Sequence, residues 1–461
     1  MRDLVLFAGL LVLLPLLLRN AFIGVLAWVW ISLMNPQREV YGLLANFGLN
    51  LCVAILTILV WVLSRERKAL PVDGFAVFLV LFALWSCVCT YLALDRSFAL
   101  PLWDRTMKTM VLVLAVATLA RSPARIQAVL WMVVASIGFY AIKGAAFVAF
   151  TAGQHKVLGP ADSMIADNNN LGLVFVVLLP LVGYLRAVSR QTLARMGALA
   201  TIVLAIVATL GTYSRGALVA LIAMAGFHAL RSRTGMVLLA VGALLAAGLP
   251  ALAPASWLER MSTISSYNED ASFQGRVAAW RTSVNIAIAR PLVGGGFAAV
   301  ERDKIVKLFK SPGSLDYGKA AHSIYFEVLG DTGFVGLALY LAVLGSAALN
   351  TMAVLWFARS QPELDWARKL ARALQTALVA ILVGGSALSM AYYDGFLVIL
   401  ALSSCLLSVV LERRDASAAS LYRPRPWSSA PSPAGAGAAS AAAAHRAPDL
   451  SFERVEADQS S

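Results

Sequence analysis

His322 is the residue whose type and position are best suited to acid–base chemistry. It stands in Ala321-His322-Ser323, where a long polar loop meets an apolar run, so its imidazole is expected at a membrane edge. A neutral imidazole accepts a proton near neutral pH, and a positioned general base accelerates a reaction about 10²–10⁴-fold. The residue alone leaves a catalytic base and a structural histidine equally open.

Basic residues of membrane proteins normally collect in cytoplasmic loops, where they set the orientation of the chain. That preference does not explain three arginines: Arg215, Arg276 and Arg281. Arg215 lies between two apolar runs, and a charge close to the hydrocarbon is a functional hypothesis by default. The alternative is an arginine whose side chain reaches out to the headgroups. Because a guanidinium matches phosphate oxygens with paired donors, the group predicts a phosphate-rich ligand.

The composition indicates which elements hold these residues. Only 14% of the 461 residues are charged, 60% are hydrophobic and the mean hydropathy is +0.76, whereas a soluble domain has about 25% charged residues. This excludes a soluble multidomain enzyme and predicts an all-α polytopic membrane protein, because about 20 apolar residues cross a bilayer. The net charge of +13 is then explained first by basic cytoplasmic loops rather than by nucleic acid.

Apolar runs separated by charged residues predict about twelve transmembrane helices with both termini in the cytoplasm. Arg19 and Asn20 divide residues 4–34 into two short runs, which leaves thirteen spans open. Basic loops alternate along the chain and place His322 on the outer face, the periplasm of a Gram-negative cell. The remaining runs lie near 42–63, 74–93, 106–120, 125–150, 169–187, 195–212, 214–230, 235–250, 323–346, 366–390 and 392–412.

One outer loop is far longer than the others, and long loops are usually functional. It carries nine basic and six acidic residues, an excess that opposes the topological bias. The spacing of Val277, Trp280, Val284 and Ile288 predicts an amphipathic helix along the membrane surface. The expected parts are transmembrane helices in 1–250, the long loop in 251–322, transmembrane helices in 323–415 and a disordered cytoplasmic tail in 416–461.

Four side chains near these residues are weaker candidates for supporting roles. Tyr213, Trp280 and Tyr325 could stack on sugar rings, although aromatic residues at a membrane interface are more often anchors. Glu327 could orient His322 or pair with an arginine. The stretch Gly294-Gly295-Gly296 could present N–H groups to a phosphate or form a turn.

The order of several short motifs resembles a known family. His322-Ser323, nine residues, and then Gly333 and Gly336 resemble the signature of the O-antigen ligase and polymerase superfamily. The start of the chain resembles the ligase branch that includes WaaL and exosortase-associated O-glycosylation ligases. Other matching stretches across roughly 160–410 are Asp167-Asn168-Asn169-Asn170, Ser214-Arg215-Gly216, Gly275-Arg276 with Trp280, and Arg290-Pro291-Leu292-Val293-Gly294-Gly295-Gly296.

This resemblance implies a GT-C-like enzyme in the bacterial inner membrane with its active site facing the periplasm. The donor would be a glycan on undecaprenyl diphosphate and the acceptor a sugar of lipid A–core. His322 matches the essential histidine and would be the base, while Arg215 and Arg276 match arginines that would bind the diphosphate. Arg281 has no clear counterpart and is included for its charge.

Membrane lipids are the other expected partners, and no cofactor and no nucleic acid are expected. The outer loops contain no D-x-D pair, which predicts catalysis without a metal ion. The alternatives within the superfamily are a polymerase and a protein O-oligosaccharyl ligase. A transporter or flippase of lipid-linked anions is the alternative from another class, but the candidate residues cluster at one face instead of the bilayer midplane, which favours an enzyme.

Overall fold

The structure is a computed structural model that describes residues 2–42, 47–231, 235–237, 271–312 and 316–421. Within these ranges the regular elements are α-helices joined by short 3-10 turns and loops. The α-helices, numbered in chain order, are α1 (Arg2–Arg19), α2 (Ala21–Met34), α3 (Leu49–Leu63), α4 (Gly74–Tyr91), α5 (Arg96–Leu119), α6 (Pro123–Phe150), α7 (Asn168–Val188), α8 (Thr192–Gly211), α9 (Arg215–Ala229), α10 (Ala271–Ala289), α11 (Asp303–Phe309), α12 (Ile324–Phe357), α13 (Asp365–Gly385) and α14 (Asp394–Leu421).

Polar residues between the apolar runs set where the helices begin. The Asn20 side chain accepts a hydrogen bond from the Phe22 N–H (2.9 Å), so the predicted division of residues 4–34 is confirmed as the start of α2. Asp73 caps α4 and Ser122 caps α6 in the same way. Each cap satisfies an N–H group that has no partner within its own helix.

Six helices of the described chain are long and apolar enough to cross a membrane: α4, α6, α7, α8, α12 and the Asp394–Asp415 part of α14. The apolar helices α3 and α9 are shorter. The protein is therefore a helical membrane protein, while the count of twelve spans stays a prediction. Most of the predicted span 235–250 lies outside the described residues.

The centre of the bundle consists of α7 and α14, whose side chains are mostly buried. Helix α7 packs against α8 and α13, and α4 packs against α12. The two ends of α7 lie near different parts of the protein. One end is near His322, and the other end meets the loops before α6, α8 and α13.

The described part of the long loop is docked onto the bundle. Helix α10 packs against α12, with Ser283 beside Gly330, and Ala279, Ser283 and Ile286 on α10 are buried. The predicted apolar stripe along the membrane surface stays a prediction for the side of α10 that faces away from the bundle, where Ile288 is 66% exposed. Ala279 and Ser283 on this buried face are small residues, which allow two helices to approach closely, so hydrophobicity alone does not reveal the face.

The structure describes only part of the predicted long loop and of the predicted C-terminal tail. The loop residues 251–270 lie outside the described part of the chain, as does the predicted tail from residue 422 onward. Helix α14 itself continues to Leu421, past the point at which the tail was expected to begin. The predicted division into four parts otherwise stays a prediction.

Candidate functional site

His322 occupies the turn that immediately precedes α12. Its backbone is left-handed, with φ 45°, a region that few non-glycine residues adopt. Its N–H donates a hydrogen bond to Ser389 Oγ at 2.8 Å, in the turn between α13 and α14. The histidine is therefore fixed by a residue far away in sequence, and its ring is partly exposed.

The surroundings of His322 keep its imidazole neutral. Burial, together with the positive charges of Arg276 and Lys319, lowers the pKa of His322 to about 4, although the Asp167 carboxylate acts in the opposite direction. A histidine with this pKa is unprotonated at neutral pH and has a lone pair available to accept a proton. Its environment is cationic, which suits an anionic ligand nearby.

Lys319 is one of the positive charges that act on His322, and it was not predicted from the sequence. Its aliphatic chain lies across α10 at Gly275, where a Cβ would be 2.9 Å from Lys319 Cδ. Its backbone N–H donates to the Val300 carbonyl at 3.1 Å, which fixes the segment before His322. The available signal was a lysine three residues before the histidine and a glycine next to Arg276.

Trp280 supports the same segment from α10. Its indole Nε1–H donates to the Ala321 carbonyl at 2.6 Å. Its ring stacks on Phe326, with 5.1 Å between ring centroids and an interplanar angle of 15°. Trp280 therefore ties α10 to both sides of His322, and stacking on a sugar stays a prediction for its remaining surface.

Arg215 begins α9 at a tightly packed corner. The Ser214 hydroxyl accepts a hydrogen bond from the Ala217 N–H at 3.1 Å and caps the helix. Tyr213 has φ 57°, is only 4% exposed and donates its hydroxyl to the Gly153 carbonyl. This burial favours a structural role for the Tyr213 ring, and it gives Arg215 a fixed backbone position.

The Arg215 corner and His322 lie at the same end of the bundle. The Asn168 side chain, at the start of α7, donates to the Thr212 carbonyl at 2.7 Å, and the preceding Asp167 acts on His322. The 386–390 turn contacts both places: its Ser389 holds His322, and its Ala387 lies 3.9 Å from where a Cβ on Gly216 would be.

The other candidates are placed differently. Arg281 is exposed on α10 and is not among the charges that act on His322. Tyr325 donates its hydroxyl to the Leu382 carbonyl at 3.0 Å, so it joins α12 to α13. Glu327 accepts a hydrogen bond from the Ala391 N–H at 3.1 Å, two residues after Ser389. Glu327 thus supports the turn that holds the histidine.

The glycine motif forms a backbone clasp, defined here as residues 290–296 packed against 330–334. The N–H groups of 295 and 296 donate to the carbonyls of Gly330 and Asp331 at 2.8 and 2.9 Å, and the N–H of Gly294 donates to Arg290 at 3.0 Å. These groups are used within the protein, so the stretch is a turn and not a phosphate nest. Gly333 breaks α12 inside the clasp with φ 71°.

Among the described residues, no three His, Cys, Asp or Glu side chains are grouped so that they could hold a metal ion. Catalysis without a metal ion stays a prediction.

Two family models match parts of the chain. Residues 199–341 match the family described as O-Antigen ligase, and residues 1–190 match a family of unknown function, DUF5935. No curated protein is found that matches the chain. The region matched to O-Antigen ligase contains Arg215, Arg276, Lys319, His322 and Gly333. The second match contains Asp167 and much of the bundle around it.

Proposed function

We propose that this chain, which carries a domain of the O-antigen ligase and polymerase superfamily at residues 199–341, is a membrane glycosyltransferase. It transfers a glycan from undecaprenyl diphosphate to a sugar hydroxyl of lipid A–core on the periplasmic face of the bacterial inner membrane. The observation that carries the proposal is a histidine held by Ser389 at one end of a helical bundle, where the charges of Arg276 and Lys319 act on it.

His322 acts as the general base in this reaction. The acceptor hydroxyl gives its proton to the unprotonated imidazole while its oxygen forms a bond to the anomeric carbon of the donor. The bond from that carbon to the diphosphate oxygen breaks, and undecaprenyl diphosphate leaves. A base of this kind contributes about 10²–10⁴-fold to the rate.

Arg276, Lys319 and Arg215 stabilise the departing diphosphate. Negative charge grows on its bridging oxygen as the bond breaks, and fixed cations in a site of low polarity stabilise that charge without having to reorganise. Arg281, which is exposed and on another face of α10, contributes little to this step.

Donor binding also strengthens the base. The same cations that would bind the diphosphate lower the pKa of His322, so a bound diphosphate offsets their charge and raises that pKa toward its ordinary value. A base is more effective when its pKa is closer to the working pH. His322 therefore becomes a better proton acceptor when the donor is in place.

The test is an assay of purified His322→Ala with lipid-linked glycan and lipid A–core in detergent. We expect product formation to fall at least about 100-fold because the base is lost. His155→Ala is the matched control, since His155 is an exposed histidine in a loop, and it should keep wild-type activity. Normal product formation by His322→Ala would refute the base.

The product distinguishes the related functions. A ligase attaches the glycan to lipid A–core. A polymerase lengthens the lipid-linked glycan when no lipid A–core is present, and a protein ligase modifies serines. A transporter forms no product in detergent. In cells, loss of the ligase leaves uncapped lipopolysaccharide and accumulates lipid-linked polymer, while loss of a polymerase leaves single repeat units attached.

The same assay tests metal independence. Activity should persist after treatment with a strong chelator, because arginine and lysine side chains replace a divalent ion at the diphosphate. Loss of activity that is restored by a divalent metal would contradict this part of the proposal.

A further inference from the structure

A cavity lies at the end of the bundle opposite to His322. Its volume is about 740 Å³, and α6, the α7–α8 loop, the start of α13 and the end of α14 surround it. Its wall includes Val188, the last residue of α7, whereas the first residues of α7 face the His322 site. The 21 residues of α7 separate the two places by about 31 Å.

Three charged side chains line this cavity: Arg190, Arg413 and Glu363. None of them forms an ion pair with another residue of the described chain. At the same end of the bundle, other arginines are paired, such as Arg125 with Glu66 at 2.5 Å. The three lining charges sum to +1, which complements a ligand with one negative charge.

The inner wall of the cavity is apolar and aromatic. Gln127 and Trp131 lie one and two turns beyond Pro123 on the same face of α6, so Trp131 is about 12 Å deeper than the start of the helix. Trp131 is 38% exposed, and Trp366 lines another wall. Tryptophan accumulates where the hydrocarbon meets the headgroups, so the cavity opens at a membrane interface.

We propose that this cavity binds the headgroup of an anionic glycerophospholipid with a single phosphodiester, of the phosphatidylglycerol type. Arg190 and Arg413 bind the phosphate, Glu363 accepts hydrogen bonds from the headgroup hydroxyls, and the acyl chains pass Trp131. The volume falls within the range of about 300–1,000 Å³ that is usual for ligand sites. Basic pockets between transmembrane helices are suited to anionic headgroups.

Lipid binding in this cavity does not depend on the reaction at His322. The cavity is at the opposite end of the bundle and shares no residue with the His322 site. A phospholipid there would bridge α6, α13 and α14. The cavity would then bind a lipid without taking part in glycan transfer.

The test uses the full chain in nanodiscs of phosphatidylcholine with a minor share of phosphatidylglycerol, followed by native mass spectrometry. We expect the wild type to retain phosphatidylglycerol, and Arg190→Gln/Arg413→Gln to lower its affinity at least about tenfold, since two charge-assisted contacts are lost. The matched control is Arg186→Gln/Arg195→Gln. It removes two exposed arginines from the same α7–α8 region and should leave retention unchanged.

Equal loss of lipid in both double variants would overturn the site, because it would show a general charge effect. Equal retention of phosphatidylcholine and phosphatidylglycerol would overturn the headgroup assignment. Wild-type protein gives an independent readout: brominated phosphatidylglycerol should quench its fluorescence more than it quenches Trp131→Phe. Full displacement by soluble glycerol 1-phosphate would show a site for free phosphate and would refute the lipid.

Discussion

The beginning of α12 contains two regions that contribute to the same family signature in different ways. His322 is partly exposed, lies outside the helix and is surrounded by charges from α10 and the preceding loop. Gly333, eleven residues later, is buried in the glycine clasp, and the atoms nearest to where its Cβ would be are backbone atoms of Pro291 and Leu292. The first region places a titratable side chain among charged groups, whereas the second lets two backbone segments approach each other closely.

The difference between them shows that a short motif can combine two requirements. The histidine end needs a particular functional group in a particular electrostatic environment. The glycine end needs the absence of a side chain, because residues 290–296 must approach the broken helix closely enough for backbone hydrogen bonds. Substitutions in the two regions should therefore affect different measurements.

The largest effect is expected from Gly333→Ala. A Cβ there would lie 2.7 Å from the Leu292 carbonyl and would have to adopt φ 71° with ψ −170°. Non-glycine residues avoid that conformation, so we expect a loss of more than about 3 kcal/mol of stability. Thermal unfolding in detergent should show it, together with loss of activity.

Gly345→Ala is the control for this prediction. It lies in the same helix, and a Cβ there would meet nothing within 4 Å. It should leave the unfolding temperature nearly unchanged. A stable and active Gly333→Ala protein would show that the clasp does not need glycine. The proposed difference between the Gly333 region and the His322 region would then be wrong.

The next largest effect is expected from Arg276→Gln. It should lower kcat about 10²–10³-fold, the usual cost of losing one preorganised donor to a developing negative charge, with an unchanged unfolding temperature. Arg281→Gln, on the same helix, should stay within about twofold of the wild type because the Arg281 side chain is exposed. Equal losses in both variants would contradict the assignment of Arg276 to the site.

The smallest effect is expected from Lys319→Gln, which should reduce kcat about tenfold and shift the pH profile. Removing this cation raises the pKa of His322 above about 4. The neutral fraction of the histidine then falls at a higher pH, so the acid limb of kcat/KM moves upward. A profile measured from pH 4 to pH 8 checks the sign.

Lys307→Gln is the control for this shift, because Lys307 is exposed in the same loop and does not act on His322. Its acid limb should match that of the wild type. If the limb of Lys319→Gln also matched, Lys319 would not belong to the electrostatic environment of the base.

Local patterns in the sequence predicted much of the helical framework. Asn20 interrupts two apolar runs, and the structure begins α2 there because its side chain caps the helix. The apolar run that follows His322 becomes α12, so its place at a helix start also followed from the sequence. These features depend on neighbouring residues, which periodicity and capping rules describe well.

The orientation of α10 could not be predicted in this way. Its larger apolar residues suggested a face toward lipid, but they did not reveal the buried face, where the small residues Ala279 and Ser283 lie and Ser283 contacts Gly330 of α12. Small residues contribute little to a hydrophobic pattern even when they form the closest helix contacts. Lys319 was missed for a related reason, since its chain lies against α10 only because Gly275 has no side chain there.

The sequence by itself determined that this is a helical membrane protein with a histidine at a helix start, and it predicted arginines in loops on the outer side. Composition and local spacing are sufficient for that, because they reflect burial in lipid and the end of each span. Only the tertiary structure decided which cations act on His322 and which lie elsewhere. That choice depends on contacts such as the His322–Ser389 hydrogen bond, which join residues distant in sequence.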